Sequence, residues 1–433
     1  MQNKPAAILF ITIISTAFYN ASAQKMINSP YARFNLGTLE PVGSFRSLGM
    51  GGTGIAIRDN SSIYYSNPAS YSSVDTNSFI FDFGIDYGIN LLSDGITRHF
   101  SDDMNFDHLI IGFPLAKGWG FAAGIIPFSN GYYSISESIL EGDPEYDPIT
   151  GEYNEAHRGE GGISKFIAGS GIKLTKNISA GVNMTLLFGS VRRINQFNFT
   201  EYLNVYHNNN TERLQLNGMN FDYGLQYSAS LKKNYFLNAG LSMTSGKNYK
   251  SKYEKIAFRY NYYGASDTIS RSADSSRVFI PATIRMGMSF GIKNKLTAAF
   301  DYVLTNWSEA TLKDSEGYLG NTRAMLFGVE YIPEKFSNSS YLRRVEYRIG
   351  THLEDNYLVI NGEQVKEFGV SFGIGLPLKR TFSQANLFFS KANLFIDYTR
   401  KSGEGGLLHT ENYFTMGASL NLYDFWFMKR KYD

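Results

Sequence analysis

At 433 residues, with a net charge of +2, charged residues at 18% and no cysteine, the chain excludes a basic nucleic-acid-binding surface, a disulfide framework and a thiolate metal site. Its 42 Gly, 33 Phe and 30 Tyr do not suit one large dry core. They suit a sheet with one aromatic face and one small, polar face.

The first element in chain order is an address. Lys4 supplies a short positive start, Ala6 to Ala17 an apolar stretch, and Ala21-Ser22-Ala23 a small-residue cleavage site. A signal peptide is therefore expected over 1–23, with Gln24 opening the mature chain. Beyond it no uninterrupted apolar run reaches the ~18 residues of a membrane-spanning helix, which leaves a soluble protein or a barrel.

Residues 24–76 lack strand periodicity. Gly49, Gly51, Gly52 and Gly54 form a small-residue cluster, and Asn60 to Ser62 and then Asn67-Pro68-Ala69-Ser70 break the chain again. A phosphate cradle would need a preceding strand, a following helix and usually a Lys, none of which is evident. The expectation is a compact plug packed against the wall of a barrel, with close backbone approach at the glycines.

From Asn77 onward the sequence alternates with period two between polar breaks. Phe79, Phe81, Phe83, Ile85, Tyr87, Ile89 and Leu91 point one way; Asp82, Gly84, Asp86, Gly88 and Asn90 point the other. With no helix to cover a sheet, the apolar row is expected to face lipid. Segments of this kind lie near 77–91, 105–114, 119–129, 162–174, 178–198, 212–231, 235–250, 277–292, 295–310, 322–332, 342–353, 365–376, 386–400 and 411–423. Tight turns such as Ala116-Lys117-Gly118, Thr175-Lys176-Asn177, Lys232-Lys233-Asn234 and Lys293-Asn294, with longer ones at 333–341 and 377–385, alternate with long loops near 92–104, 130–161, 199–211, 251–276, 311–321, 354–364 and 401–410. The expected fold is all-β: a transmembrane antiparallel β-barrel over 77–433, of about 14 strands, with the N-terminal segment in its lumen. The stretch 255–262 reads either as loop or as an extra hairpin, so the count carries an uncertainty of two strands. An even count places both mature ends in the periplasm, and Phe425-Trp426-Phe427 followed by Lys429-Arg430-Lys431 reads as an interfacial anchor.

Arg46-Ser47-Leu48-Gly49-Met50-Gly51-Gly52-Thr53-Gly54 followed by Asn67-Pro68-Ala69 resembles the start of the FadL-type (OmpP1/TodX) outer-membrane transport proteins. Gly112-Phe113-Pro114-Leu115, Pro127-Phe128-Ser129, Ala299-Phe300-Asp301-Tyr302 and Tyr347-Arg348-Ile349-Gly350 are similar to the Bacteroidota branch of that family. The resemblance implies a 14-stranded barrel with an N-terminal hatch, and passive uptake of a hydrophobic or amphipathic small molecule released sideways at a kinked third strand. Pro127 lies in the third candidate strand, where it cannot donate to the ladder; it marks either a lateral opening or a rim at which pairing has already ended. Related plugged barrels in Bacteroidota serve protein secretion or barrel-assembly machines, so a non-transporting accessory barrel is the second expectation. A continuous apolar tunnel would favour transport, and a lumen filled by salt bridges the accessory role.

The expected partners are outer-membrane lipid or lipopolysaccharide, a hydrophobic small-molecule ligand, and secretion or barrel-assembly proteins. The segment 130–161 sets Glu137, Glu141, Asp143, Glu145, Asp147, Glu152, Glu155 and Glu160 against Arg158, an acidic flap that repels anions. Calcium binding there is weighed and set aside for want of fixed ligand spacing. No catalytic residue, metal ligand or cofactor is expected. Five of the six histidines, His99, His157, His207, His352 and His409, fall in or beside outer loops, His108 faces the lumen, and no hydrolase signature accompanies them. Lumen-facing Asp82, Asp86 and Asp301 are expected either to line a path or to pair with cations such as Arg285 and hold the plug.

Overall fold

The computed structural model describes residues 29–93, 98–199, 206–261, 263, 266–312, 318–382, 387–403 and 410–425; the expected signal peptide, the 426–433 tail and His409 lie outside them. Its strands are β1 (Thr38–Leu39), β2 (Ser78–Ser93), β3 (Arg98–Ala116), β4 (Trp119–Asn130), β5 (Tyr133–Ile139), β6 (Tyr153–Lys173), β7 (Ile178–Phe199), β8 (His207–Ser230), β9 (Tyr235–Thr244), β10 (Lys247–Tyr260), β11 (Ser266–Ile280), β12 (Thr283–Ile292), β13 (Leu296–Thr305), β14 (Tyr318–Leu319), β15 (Thr322–Tyr331), β16 (Glu346–Ile360), β17 (Glu363–Phe382), β18 (Leu387–Ser402) and β19 (Thr410–Phe425). One four-residue helix, α1 (Phe45–Leu48), precedes the glycine cluster.

These strands form one antiparallel sheet, closed where β19 pairs with β2 from Thr410↔Ser93 to Phe425↔Ser78. β4 and β5 both pair with β6, and β9 and β10 both pair with β8. β11 and β12 continue one strand against β10 and β9, and β14 and β15 share β16. The wall therefore has fourteen strands, with β1 apart from them. Closure of the last strand on the first leaves the sheet without open ends among the described residues.

Alternation gives the two faces. On β7, Val182, Met184, Leu186 and Phe188 are exposed outward, whereas Ser179, Asn183, Thr185 and Leu187 are buried inward. The tight turns seat Asn234 and Asn294 at positive φ (68° and 60°), a conformation Asn tolerates better than most residues.

Two expected loops prove to be sheet. The stretch 130–161 is largely the β5–β6 hairpin, and 251–276 is the upper part of β10 and β11. Residues 266–275 of β11 are all exposed, so above the membrane the sheet is wet on both faces and the alternation that marks a strand disappears. The turn expected at 377–385 is strand as far as Phe382, with a register shift between Pro377 and Arg380 where proline interrupts the ladder.

Residues 29–77 lie against the inward side of the wall. They begin in the long-loop half, where Ser29 Oγ donates to Glu411 (3.0 Å) and the Arg193 guanidinium donates to the Arg33 carbonyl (2.7 Å). They end at the short-turn side, where Tyr65, Tyr71 and Val74 pack with Ile80, Ile110 and Tyr423. The barrel's own ends, Ser78 and Phe425, pair at the short-turn end, as an even strand count requires. The first described residue, Ser29, lies in the other half; the two mature ends, Gln24 and Asp433, lie outside the described residues.

Candidate functional site

The glycine cluster turns the chain immediately after α1. Gly51 and Gly52 both have positive φ (67° and 86°), which L side chains rarely adopt, and the Gly51 N–H donates to Ser371 Oγ at 2.9 Å. The wall is stripped of side chains beneath this turn. A β-carbon on Gly350 would lie 2.0 Å from the Gly51 nitrogen, and one on Gly328 2.3 Å from the Met50 carbonyl. Gly49 rests against Gly373, with 3.0 Å from its would-be β-carbon to the Gly373 Cα. Gly54 and Ile55 donate their amides to Asp301 Oδ2 at 2.7 and 2.9 Å.

Asn67, Pro68 and Ala69 form a second foothold. The Asn67 side chain accepts from the Ala69 N–H (3.1 Å), capping the 3-10 turn Pro68–Ser73, and donates to the Ile55 carbonyl (2.9 Å), tying the two ends of the segment together. Gly181 and Gly224 of the wall lie beneath Pro68.

A buried chain of six charges crosses from this segment into the wall. Asp59 meets Arg46 Nη1 at 2.6 Å, and Arg46 grips Glu330 through Nε and Nη2 at 3.0 and 2.8 Å. Glu330 also accepts from Arg348 Nε at 2.8 Å, Arg348 contacts Glu346, and Glu346 meets Lys391 Nζ at 2.6 Å. Three carboxylates and three cations sum to zero, so each buried charge has its opposite in contact. Burial alone would push the Asp59 carboxyl up; Arg46 beside it holds it well below the usual carboxylate range. Burial likewise opposes the Arg46 charge, and Asp59 and Glu330 overcome it. This chain sits at the short-turn end, since Glu330 and Glu346 flank the 332–345 turn.

Above it lies a cavity of about 370 Å³, lined by Leu39, Phe128, Trp307 and Phe395 and by the carboxylates of Glu40, Asp86, Asp103, Asp107, Glu354, Glu367 and Asp397, with Lys165, Arg285 and Lys401 as its cations. It is a vestibule of mixed character, an apolar surface interrupted by carboxylates.

Beside the cavity the wall is interrupted. Among the described residues the β3–β4 ladder ends at Leu109↔Ile125, although β3 runs on upward to Arg98. The edge of β4 that β3 leaves is taken by β1, with Leu39↔Ser129 and Thr38↔Asn130, and by the Glu40 N–H donating to the Phe128 carbonyl (3.0 Å). On its other side β4 shifts register against β6 between Pro127 and Ser129. Pro127 therefore stands at a kink in the third wall strand, next to the break in the seam. Burial makes Glu40, facing this break, a weak acid: its carboxyl is pushed up to about 7, with Asp107 adding to the effect.

Some expected pairings differ. Asp301 holds two backbone amides and Arg285 donates to Thr244 (3.0 Å), because the turn brings N–H groups closer to Asp301 than any guanidinium. Asp82 faces His108 Nε2 at 3.3 Å, and His108, with Asp107 at its other nitrogen, is fully buried under the edge of the Phe45 ring. His352 faces the lumen rather than an outer loop and contacts Thr399 (3.0 Å). Among the described residues no group of three or more His, Asp or Glu is placed to hold a metal ion. The charge chain escaped sequence reasoning, although Glu330, Glu346, Arg348 and Lys391 share the inward phase of their strands.

Comparison with known proteins agrees with this geometry. No curated protein matches. Solved structures with the same architecture include the Pseudomonas putida toluene transporter TodX (14% identity, TM-score 0.55, 91% of this chain and 100% of that one). A Pseudomonas aeruginosa FadL homologue (12%, 0.55, 88% and 99%) and the Ralstonia pickettii toluene transporter TbuX (12%, 0.54, 89% and 98%) also match. At such identities they establish the fold. The model of the BamG family matches residues 4–433, and the chain belongs to the BamG family, built on the FadL-type outer-membrane barrel fold.

Proposed function

We propose that this protein is an outer-membrane channel of the FadL type, in which the N-terminal segment acts as a plug and the vestibule receives a small amphipathic molecule from the outer side. The observation that carries this reading is the cavity of about 370 Å³ placed directly beside the interrupted β3–β4 seam, which offers a way into the membrane without crossing the charge chain below. That volume falls within the range of small-ligand pockets, ~300–1,000 Å³. The acidic lining disfavours a free carboxylate and suits a neutral or cationic molecule with an aromatic or aliphatic part. The solved relatives named toluene transporters lend the hydrocarbon component of this reading. The test is uptake by liposomes carrying the purified barrel: entry of neutral and cationic aromatics but not of fatty-acid anions supports it, and exclusion of all three contradicts it.

A second reading rests on the charge chain from Asp59 to Lys391, which lies across the lumen at the short-turn end. Such a lumen also suits a barrel that serves as a rigid accessory in an outer-membrane secretion or barrel-assembly complex. Purification from native membranes in mild detergent separates the two readings. A stoichiometric small ligand supports the channel; a stable complex with assembly or secretion proteins supports the accessory.

A further inference from the structure

The outward face of the barrel carries a charged row just above its apolar band. On β7 the exposed apolar series runs from Ile178 through Phe188, and on β8 it runs from Tyr227 back to Met219. The ten steps from Ile178 to Phe188 at ~3.3 Å each, tilted by roughly 40°, span about 25 Å, the height of a barrel's apolar band. The next outward positions on β7 are Ser190 and Arg192, and on β8 Asn217, Gln215 and Arg213, with Asn217 already level with Phe188. This row therefore lies at the level of the outer-leaflet headgroups.

Its arginines are poorly compensated. Arg192 and Arg213 are direct cross-strand partners, and like charges so placed repel. Across from Arg192 on its other side stands Glu160, whose carboxylate lies 3.5 Å from the guanidinium with both side chains about half exposed. Across from Arg213 stands Glu254, which Arg271 engages at 2.8 and 3.2 Å. Arg213 also donates to Ser190 Oγ in a long hydrogen bond of 3.4 Å. Arg158, Arg192 and Arg213 line one outward recess together with Glu160, Ser190 and Tyr132, so the recess holds three guanidinium groups and one carboxylate. Tyr132 lines the internal vestibule as well, which places the recess against the kinked third strand.

We propose that this recess binds the phosphate of an outer-leaflet lipid headgroup of the lipid A type. Guanidinium groups match phosphate with paired N–H donors, and an anion between Arg192 and Arg213 turns their repulsion into two attractions. The source is a lipid rather than free phosphate because Ser190 of the recess is the outward position next after the exposed Phe188 on β7, at the top of the apolar band where acyl chains would lie. The acidic vestibule behind Tyr132 keeps the headgroup outside the lumen.

The inference rests on the outer-membrane reading above, and membrane fractionation tests that reading separately. For the recess itself, the purified barrel is mixed with bisphosphorylated lipid A, or with the same lipid after enzymatic dephosphorylation, and bound lipid is counted by native mass spectrometry. Wild type is expected to retain the phosphorylated form at least about tenfold better, and Arg192→Gln/Arg213→Gln to lose that preference. Glu160→Gln is expected to bind at least as well as wild type. Heat-modifiable migration checks that each variant folds, and Arg192→Lys/Arg213→Lys, which keeps the charge but not the fork, is expected to bind between the two. Equal retention of both lipids, or full retention by a folded double Gln variant, overturns the proposal. Displacement of the lipid by millimolar inorganic phosphate, with phosphate binding equally tightly alone, overturns the lipid assignment.

Discussion

Arg46 and Glu330, 284 residues apart in sequence, meet as a two-pronged ion pair buried in the lumen. Breaking such a pair from one side strands a charge, at a cost of about 3–5 kcal/mol. Arg46→Met is therefore expected to lower unfolding free energy by that amount in urea titrations. Adding Asp59→Asn and Glu330→Gln should recover part of the loss, because the stranded carboxylates go with it. A loss below about 1 kcal/mol for the single variant would show that the chain does not hold the segment in place.

Asp301 offers the second hold. Its carboxylate accepts the Gly54 and Ile55 amides, and hydrogen bonds to a charged group contribute roughly 1.5–3 kcal/mol each. Asp301→Ala is expected to speed hydrogen exchange at these two amides while leaving β13 protected. Unchanged exchange at Gly54 and Ile55 would contradict this.

The contact between Gly350 and Gly51 leaves no room for a methyl group. Gly350→Ala is expected to push the glycine turn off the wall, costing about 1–3 kcal/mol as an overpacked site and exposing residues 49–55 to protease. Wild-type resistance in a folded variant would contradict the close packing.

The absence of native cysteine makes the seam easy to test. Leu39 and Ser129 are cross-strand partners, and antiparallel partners stand ~4.5–5.5 Å apart at Cα, within disulfide reach. Leu39→Cys/Ser129→Cys is expected to crosslink on mild oxidation. If cargo leaves by the seam, uptake should fall on oxidation and return on reduction; uptake indifferent to the crosslink would place the exit elsewhere.

Glu40 and Asp59 titrate with opposite sign. Raising Glu40 from 4.5 to about 7 means that the folded form holds its proton more tightly than the unfolded chain, so this group lowers stability as pH rises through that window and levels off above it. Glu40→Gln should match wild type near pH 4 and exceed it progressively up to about pH 7. Asp59, held low, contributes stability above its ordinary 3.8 that is lost as pH falls through its depressed value. Urea midpoints across pH for Glu40→Gln and Asp59→Asn check the two signs.

Each of the fourteen segments read from the sequence falls on one wall strand, since within the membrane one face meets lipid and the other small polar groups. β2 shows this best, from Phe79 to Leu91. Legibility stopped where that asymmetry stops: the upper parts of β10 and β11 are wet on both faces and read as loop. Gly49 to Gly54 and Asn67 to Ala69 stood out because a lumen crowded with backbone leaves small residues behind. The charge chain did not, since Arg46 and Glu330 are joined by closure of the barrel rather than by any local spacing. β1 was illegible for the same reason, being a two-residue strand defined by the vacant edge of β4.

Arg46 and Asp59 emerge early in the sequence, whereas Glu330, Glu346, Arg348 and Lys391 all belong to its last quarter. During assembly the N-terminal pair has to wait for strands that are delivered last, and the β19–β2 seam is among the final pairings to form. Contacts of such long sequence separation are slow to make. Closing the wall and neutralising its interior thus become one late event, and a chain truncated before β15 would present Arg46 with no wall carboxylate to receive it.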